Sequence, residues 1–211
     1  MGKIFVPTDS PDDWQRFLAE PEKQWRIGFS ARSLAYCWQE ADGIPTGLIA
    51  MLEQDPVFSG IETLLVLPEH KVPLPGGSRS SQNDAWVLAR ANGELVSIAV
   101  EGKVSEPFGP SLDEWDSNSS PGKKERFEFL CSLLEFDKAP SGDIRYQLLH
   151  RTASALIEAQ RFNARSAIML VHSFSQTEEW FSDYEKFLAL FGAQAKCNAV
   201  VSAGERSGIS L

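Results

Sequence analysis

The chain has 211 residues, of which 43% are hydrophobic and 23% charged, so it is long enough for one domain with a full core. Its net charge of −9 argues against a protein that binds nucleic acid through a generally basic surface, because phosphate neutralisation dominates non-specific affinity. The sequence has neither an apolar run of the roughly 18–20 residues that a membrane span requires nor an N-terminal signal peptide, so we expect a cytoplasmic protein without a membrane partner.

The cysteines and histidines lack the spacings that predict a disulfide framework or a zinc site. Cys37, Cys131 and Cys197 are odd in number and far apart, so we expect reduced thiols in the core. The three histidines are equally scattered.

Two helices are predicted before the first strand. The dipeptide Ser10-Pro11 is typical of a helix start, because serine caps free N–H groups and proline fits the first helical position. A second helix is predicted to begin at Ser30 and to end at Gly43. We interpret residues 1–55 as a helical extension of a single domain that spans residues 1–211.

A strand is predicted over residues 61–67, and a turn-rich segment over residues 73–83 then leads directly to Asp84. Polar side chains of this segment are candidates for phosphate contacts, although its glycines also suit a plain connecting turn. The candidates are Arg79, Ser80, Ser81 and Gln82.

Residues 84–103 carry the strongest chemical signal, and they predict a β-hairpin. Two apolar runs flank Asn92-Gly93, the dipeptide that most readily supplies the two positive φ angles of a type I′ turn. This turn sets a register in which Asp84 faces Glu101. Directly opposed residues have Cβ atoms about 4.5–5.5 Å apart, and like charges there destabilise the sheet. We therefore expect a cation near the two carboxylates that compensates their charge.

Two cations are candidates for this role. Lys103 points to the same face as Glu101, because side-chain direction repeats every second residue. A divalent cation is the stronger candidate, since Mg²⁺ is commonly held by one or two carboxylates together with water and substrate phosphate oxygens. The alternative to a metal site is that Asp84, Glu101 and Lys103 form an ordinary solvent-exposed end of the hairpin.

These residues resemble the motif of the PD-(D/E)xK nuclease superfamily, which has the restriction-endonuclease-like fold. In that motif an Asp begins one strand and Glu-x-Lys ends the next antiparallel strand, here Asp84 and Glu101-Gly102-Lys103. Residues 81–109 and 144–162 also resemble an uncharacterised bacterial family placed in that superfamily. The chain departs from the motif at Asn83, which stands where the superfamily has proline.

The resemblance implies a role for each motif residue. Asp84, Glu101 and the Gly102 carbonyl would hold Mg²⁺ or Mn²⁺ as the cofactor, and Lys103 would orient or deprotonate the attacking water. Superfamily members often place a glutamine of the following helix beside the site, and Gln147 fits this role best.

Two other acidic residues are candidates for the site. Some superfamily members supply an extra acid from an N-terminal helix, for which Glu40 is a candidate, although a surface glutamate explains it more simply. A second Glu-x-Lys occurs at Glu69-His70-Lys71, but no aspartate lies on a strand that a tight turn would pair with it. We therefore do not assign Glu69 to the site.

Two helices are predicted after the hairpin, the first of them beginning at Ser120-Pro121. The clearest long helix covers Asp143 to Phe162, with Ser141 or Asp143 as its cap. A polar stripe on this helix either borders the site or is simply half exposed, and it consists of Gln147, Arg151, Ser154 and Glu158.

The C-terminal part predicts a strand, a helix and a last strand. The first strand covers residues 166–174, an aromatic helix follows a capping box of Ser175 and Glu178, and the last strand covers residues 195–202. This order of elements predicts an α/β fold with a central mixed β-sheet flanked by helices, as expected of a restriction-endonuclease-like core.

Two functions are predicted from these features. The first is a Mg²⁺-dependent nuclease that hydrolyses phosphodiester bonds of nucleic acid, with Asp84, Glu101, Lys103 and Gln147 as catalytic candidates. The alternative is a catalytically inactive accessory or binding protein, which the acidic composition favours. Hydrolysis of a small phosphorylated ligand and assembly into a homodimer are left open.

Overall fold

The computed structural model describes residues 3–6 and 8–211, and among them a six-stranded mixed sheet forms the centre of the molecule. Its strands follow the order β1-β4-β5-β6-β8-β7, while β2 and β3 form a separate pair. The strands are β1 (Glu62–Pro68), β2 (Lys71–Val72), β3 (Ser81–Gln82), β4 (Ala85–Ala91), β5 (Glu94–Lys103), β6 (Ser166–Ser173), β7 (Glu205–Arg206) and β8 (Ile209–Ser210). The helices are α1 (Pro21–Gln24), α2 (Ser30–Ala41), α3 (Thr46–Leu52), α4 (Leu112–Asp116), α5 (Pro121–Leu133), α6 (Tyr146–Phe162) and α7 (Phe181–Ala189), with short 3-10 helices at Pro11–Phe17 and Pro56–Phe58.

Helices cover both faces of the sheet, which confirms the predicted α/β class. On one face, Leu34 and Trp38 of α2 pack in a core that includes Val87 of β4. On the other face, Leu148 of α6 and Phe187 of α7 belong to a second core. Strands β4 and β5 are therefore buried almost throughout, as expected for strands covered on both sides.

Strands β4 and β5 form the predicted hairpin in the predicted register. The pair nearest its open end joins Ala85 to Val100. The turn residues Asn92-Gly93 have φ angles of 51° and 83°, as a type I′ turn requires. This register brings Asp84 and Glu101 to the same end of the hairpin.

Strand β6 lies parallel to β5, and α6 lies in the connection between them. A parallel pair requires such a crossover, and α6 packs against both strands. Strands β1, β4 and β5 are antiparallel neighbours, as predicted. The site at the end of β5 therefore lies beside the start of α6.

The long helix begins later than predicted. It starts at Tyr146 with Arg145 as its N-cap, so the predicted caps Ser141 and Asp143 are wrong. The reason is a long-range contact, because Arg145 forms an antiparallel bridge with Ser111 that holds Arg145 itself in an extended conformation, after a turn and a bend at residues 142–144.

The predicted last strand is also wrong. Residues 195–202, all of which the structure describes, form no strand, and the short β7–β8 hairpin takes the edge of the sheet instead. The expected capping box of Ser175 and Glu178 gives way to a left-handed Trp180 at φ 65° as the N-cap of α7. The Ser175 Oγ atom instead accepts hydrogen bonds from the Thr177 and Glu179 N–H groups, at 3.3 and 3.2 Å, within the loop before α7.

No helix within residues 3–6 and 8–211 combines the length and the apolar character needed to cross a lipid bilayer.

Candidate functional site

Asp84 sits immediately before β4 and contacts the end of β5. Its Oδ2 accepts a hydrogen bond of 2.8 Å from the Gly102 N–H. A Cβ added at Gly102 would lie 3.0 Å from Leu34 Cδ1 and 3.3 Å from Asp84 Oδ2. The absence of a side chain at Gly102 therefore allows both α2 and Asp84 to approach the strand closely.

Glu101 is the centre of the site, with a side chain that is only 2% exposed. Its Oε1 accepts hydrogen bonds from Lys103 Nζ at 2.6 Å and Gln147 Nε2 at 2.7 Å, and its Oε2 accepts one from Arg151 Nε at 2.6 Å. Burial by itself would raise the pKa of Glu101, but Arg151 and Lys103 outweigh burial and lower it. Glu101 is therefore ionised at neutral pH.

The two cations that contact Glu101 are themselves buried. Lys103 is 5% exposed and Arg151 7% exposed, which is unusual for isolated charges and typical of paired ones. The Lys103 ammonium also lies over the Phe108 ring, 5.2 Å from its centroid. Lys103 thus pairs with Glu101, and Arg151 is a second counter-ion that the sequence indicated only as a residue of the polar stripe.

Glu69 is the acid that sequence reasoning excluded from the site. Its N–H donates to the Asp84 carbonyl at 3.0 Å, one residue beyond the last β1–β4 pair. Gln82 Nε2 donates to Glu69 Oε2 at 2.7 Å. Burial and then the Asp84 carboxylate raise the pKa of Glu69 well above its usual range. The pairing of β1 with β4 would have revealed it, but no tight turn marks that pairing in the sequence.

Asp84 and Glu101 fit a hard divalent cation. Within residues 3–6 and 8–211, no three His, Cys, Asp or Glu side chains are grouped so as to hold a metal ion. However, Mg²⁺ needs only one or two carboxylates when water and other oxygens complete its shell. The Gln147 Oε1 atom is buried and has no hydrogen-bond partner among residues 3–6 and 8–211, and the other end of the same amide is bonded to Glu101. An acceptor oxygen without a donor, on an amide that contacts the Glu101 carboxylate, suits such a cation.

Three residues of the polar stripe of α6, Arg151, Ser154 and Glu158, are buried, and Gln147 is half-buried. Arg151 contacts Glu101, and Ser154 Oγ donates to the His150 carbonyl at 2.8 Å. Glu158 is fully buried, with Oε1 lying 3.3 Å from His70 Nε2. The stripe faces the sheet and the β2–β3 region, where Arg151 bonds to Glu101 and Ser81, and Glu158 lies against His70.

Two of the four predicted phosphate contacts in the segment before Asp84, Ser81 and Gln82, are bonded to other side chains of the protein. Ser81 is 2% exposed, and its Oγ lies 2.8 Å from His150 Nδ1 and 3.2 Å from an Arg151 nitrogen. Gln82 is bonded to Glu69. Of the four predicted phosphate contacts, Arg79 remains exposed at the surface.

Glu40 is not part of this cluster. It is exposed near the end of α2, whereas Gly102 approaches the first turns of that helix at Ser30 and Leu34. The simpler interpretation as a surface glutamate is therefore the one that fits.

Comparison with known proteins identifies the family of the chain. A family model described as a domain of unknown function, DUF6946, matches residues 7–211. Neither the curated proteins nor the solved structures contain a match. Because the family model covers nearly the whole chain, the protein belongs to the DUF6946 family.

Proposed function

We propose that the protein is a divalent-cation-dependent phosphodiesterase that cleaves nucleic acid and has a restriction-endonuclease-like core. The observation that carries this proposal is the meeting of Asp84, Glu101 and Lys103 at one end of the β4–β5 hairpin, with Gln147 bonded to Glu101. The strand arrangement supports the core assignment, since three antiparallel strands are followed by a helix and a parallel strand.

The chemistry would be divided among the residues of this cluster. Asp84 and Glu101, with the Gly102 carbonyl, would hold Mg²⁺ or Mn²⁺. Such a cation supplies Lewis-acid polarisation and a more acidic water when it is bound. Lys103 would neutralise negative charge that develops on the phosphoryl oxygens. Gln147 would orient the substrate or the attacking water.

A binding protein without turnover is the second candidate. It is favoured by the two buried cations that already bond to Glu101, since Lys103 is then engaged in a structural ion pair. The net charge of −9 favours it as well.

A cleavage assay with Asp84→Asn separates these functions. The wild type should nick or linearise supercoiled plasmid DNA, or degrade single-stranded RNA, when Mg²⁺ or Mn²⁺ is present and not when EDTA is added. Asp84→Asn should lose at least roughly 100-fold in rate, because even outer partners of metal sites cost 10–100-fold when mutated.

Glu94→Gln is the matched control, because Glu94 is an exposed carboxylate at the turn end of the same hairpin. Its cleavage rate should equal that of the wild type. Undiminished cleavage by Asp84→Asn would contradict the assignment of the site. Cation binding that depends on Asp84, without cleavage of any nucleic acid, would favour the second candidate.

A further inference from the structure

Both carboxylate oxygens of Glu101 are already occupied by side-chain donors. Lys103 and Gln147 share Oε1, and Arg151 holds Oε2, all at distances of 2.6–2.7 Å. A cation that binds Glu101 must therefore compete with at least one of these donors.

Lys103 is the donor that can move. Arg151 is held at two points, by Glu101 and by Ser81 Oγ, and its planar guanidinium is rigid. Gln147 carries no charge that would repel a cation. Lys103 has a flexible four-carbon stem, and its ammonium bonds to Glu101 and lies over the Phe108 ring.

A displaced Lys103 ammonium requires another anion. At 5% exposure it cannot simply become solvated, and a buried charge without a partner is strongly unfavourable. Asp84 lies close enough to affect it electrostatically, but under the proposed function that carboxylate holds the cation. A phosphodiester oxygen is an anion that would arrive at the same place.

We propose that Lys103 is an internal cation that occupies the metal site until a phosphodiester accepts it, so that the divalent cation and the phosphodiester bind cooperatively. This inference rests on the proposed function and adds that binding of the divalent cation depends on binding of the phosphodiester. Since coupling between two ligands is reciprocal, each should tighten the binding of the other by the same factor.

Mn²⁺ binding tests the coupling, measured as loss of the electron paramagnetic resonance signal of free Mn²⁺. Dimethyl phosphate, a minimal phosphodiester, is the second ligand. For the wild type, its presence should lower the Mn²⁺ dissociation constant by about tenfold, within the usual range of coupling between sites. Lys103→Met should bind Mn²⁺ about tenfold more tightly than the wild type without phosphate and should gain little from dimethyl phosphate.

Two further variants serve as controls for this measurement. Lys103→Arg keeps the competing charge and should bind Mn²⁺ as weakly as the wild type. Lys71→Met removes the exposed lysine of the second Glu-x-Lys and should also behave as the wild type. If Lys103→Met does not fold, Lys103→Gln replaces it, because glutamine keeps a neutral hydrogen-bond donor. The effect of dimethyl phosphate on Mn²⁺ binding by the wild type can be measured without any mutation.

The outcomes distinguish this inference from the proposed function. If Mn²⁺ binds in an Asp84-dependent manner but Lys103→Met binds no more tightly, or if dimethyl phosphate does not affect the wild type, the inference is overturned and the metal site stands. If no variant binds Mn²⁺ with or without phosphate, both are overturned.

Discussion

The three carboxylates near the end of β5 differ in charge state because their neighbours differ. Glu101 lies against Arg151 and Lys103, and it is ionised. Burial and then the charge of Glu101 raise the pKa of Asp84 to about 7. Glu69 is shifted in the same direction by burial and by Asp84. Ionising Asp84 therefore costs folding stability unless a cation is bound.

Asp84→Asn should stabilise the cation-free protein at alkaline pH. A carboxyl group with a higher pKa in the folded state binds protons more tightly when folded, so stability falls as the pH rises between the two pKa values. For Asp84 this window runs from the ordinary value of 3.8 to about 7. In urea unfolding at about pH 8, the variant should be more stable than wild type by up to about 4 kcal/mol, and the two should converge near pH 4.

Glu101→Gln should destabilise the protein, the opposite of the effect expected for Asp84→Asn. Burial opposes ionisation of Glu101, but Arg151 and Lys103 outweigh it, so the stability that this group contributes is present above its unfolded pKa and lost as the pH falls through its folded pKa. At neutral pH the variant should lose about 3–5 kcal/mol of folding stability in urea unfolding, because two buried cations lose their anion.

For Asp84, the contradicting outcome is an Asp84→Asn protein that is less stable than wild type at about pH 8. It would refute the assignment of a raised pKa to the Asp84 carboxyl group.

At the level of elements, the segment before β3 is fastened to α5 by backbone contacts. Arg126 Nε donates to the Pro75 carbonyl at 2.8 Å. Gly76 has a φ of 76°, and a Cβ built there would lie 1.9 Å from the Gly122 carbonyl oxygen. The segment and the first turn of α5 therefore contact each other through Gly76 and Gly122. This contact fixes the course of the chain that leads to Ser81.

Gly76→Ala should displace this segment from α5. The positive φ alone costs roughly 1–2 kcal/mol for a residue with a Cβ, and the clash with a backbone carbonyl adds to it. We expect a total loss of at least about 2 kcal/mol in urea unfolding. Gly60→Ala is the control, since Gly60 has a φ of 65° and nothing within 4 Å of an added Cβ. Equal losses in both variants would show that the contact with α5 contributes nothing.

For the whole molecule, the net charge of −9 means that an anionic substrate must be attracted locally. Lys103 and Arg151 are buried and bonded to Glu101, so they add little to the exposed surface. Screening over about 8 Å at physiological ionic strength limits the repulsion from distant acids. Under the proposed function, the divalent cation is therefore the main positive charge that attracts the substrate before Lys103 reaches the phosphodiester.

Mn²⁺ should raise the thermal midpoint of the wild type. A ligand at about ten times its dissociation constant stabilises the native state by roughly 1.4 kcal/mol. For a chain of this size, that corresponds to a rise of about 3–6 °C. Asp84→Asn should show no rise when followed by differential scanning calorimetry, and an equal rise in both proteins would place cation binding elsewhere.

The sequence by itself determined the β4–β5 hairpin, and with it the meeting of Asp84 and Glu101. It also determined the apolar face of α6. Both are local properties, because Asn92-Gly93 sets the turn, an alternating pattern sets the register, and helical spacing marks the buried face.

Only the tertiary structure decided the remaining features of the site. Glu69 joins it because β1 pairs with β4 across residues 69–84, and no periodic pattern specifies a pairing over such a separation. Arg151 and Glu158 are buried because their partners, Glu101 and His70, come from distant segments. A polar stripe on a helix has the same spacing whether it faces water or matching charges, so its environment follows from the packing of the whole chain.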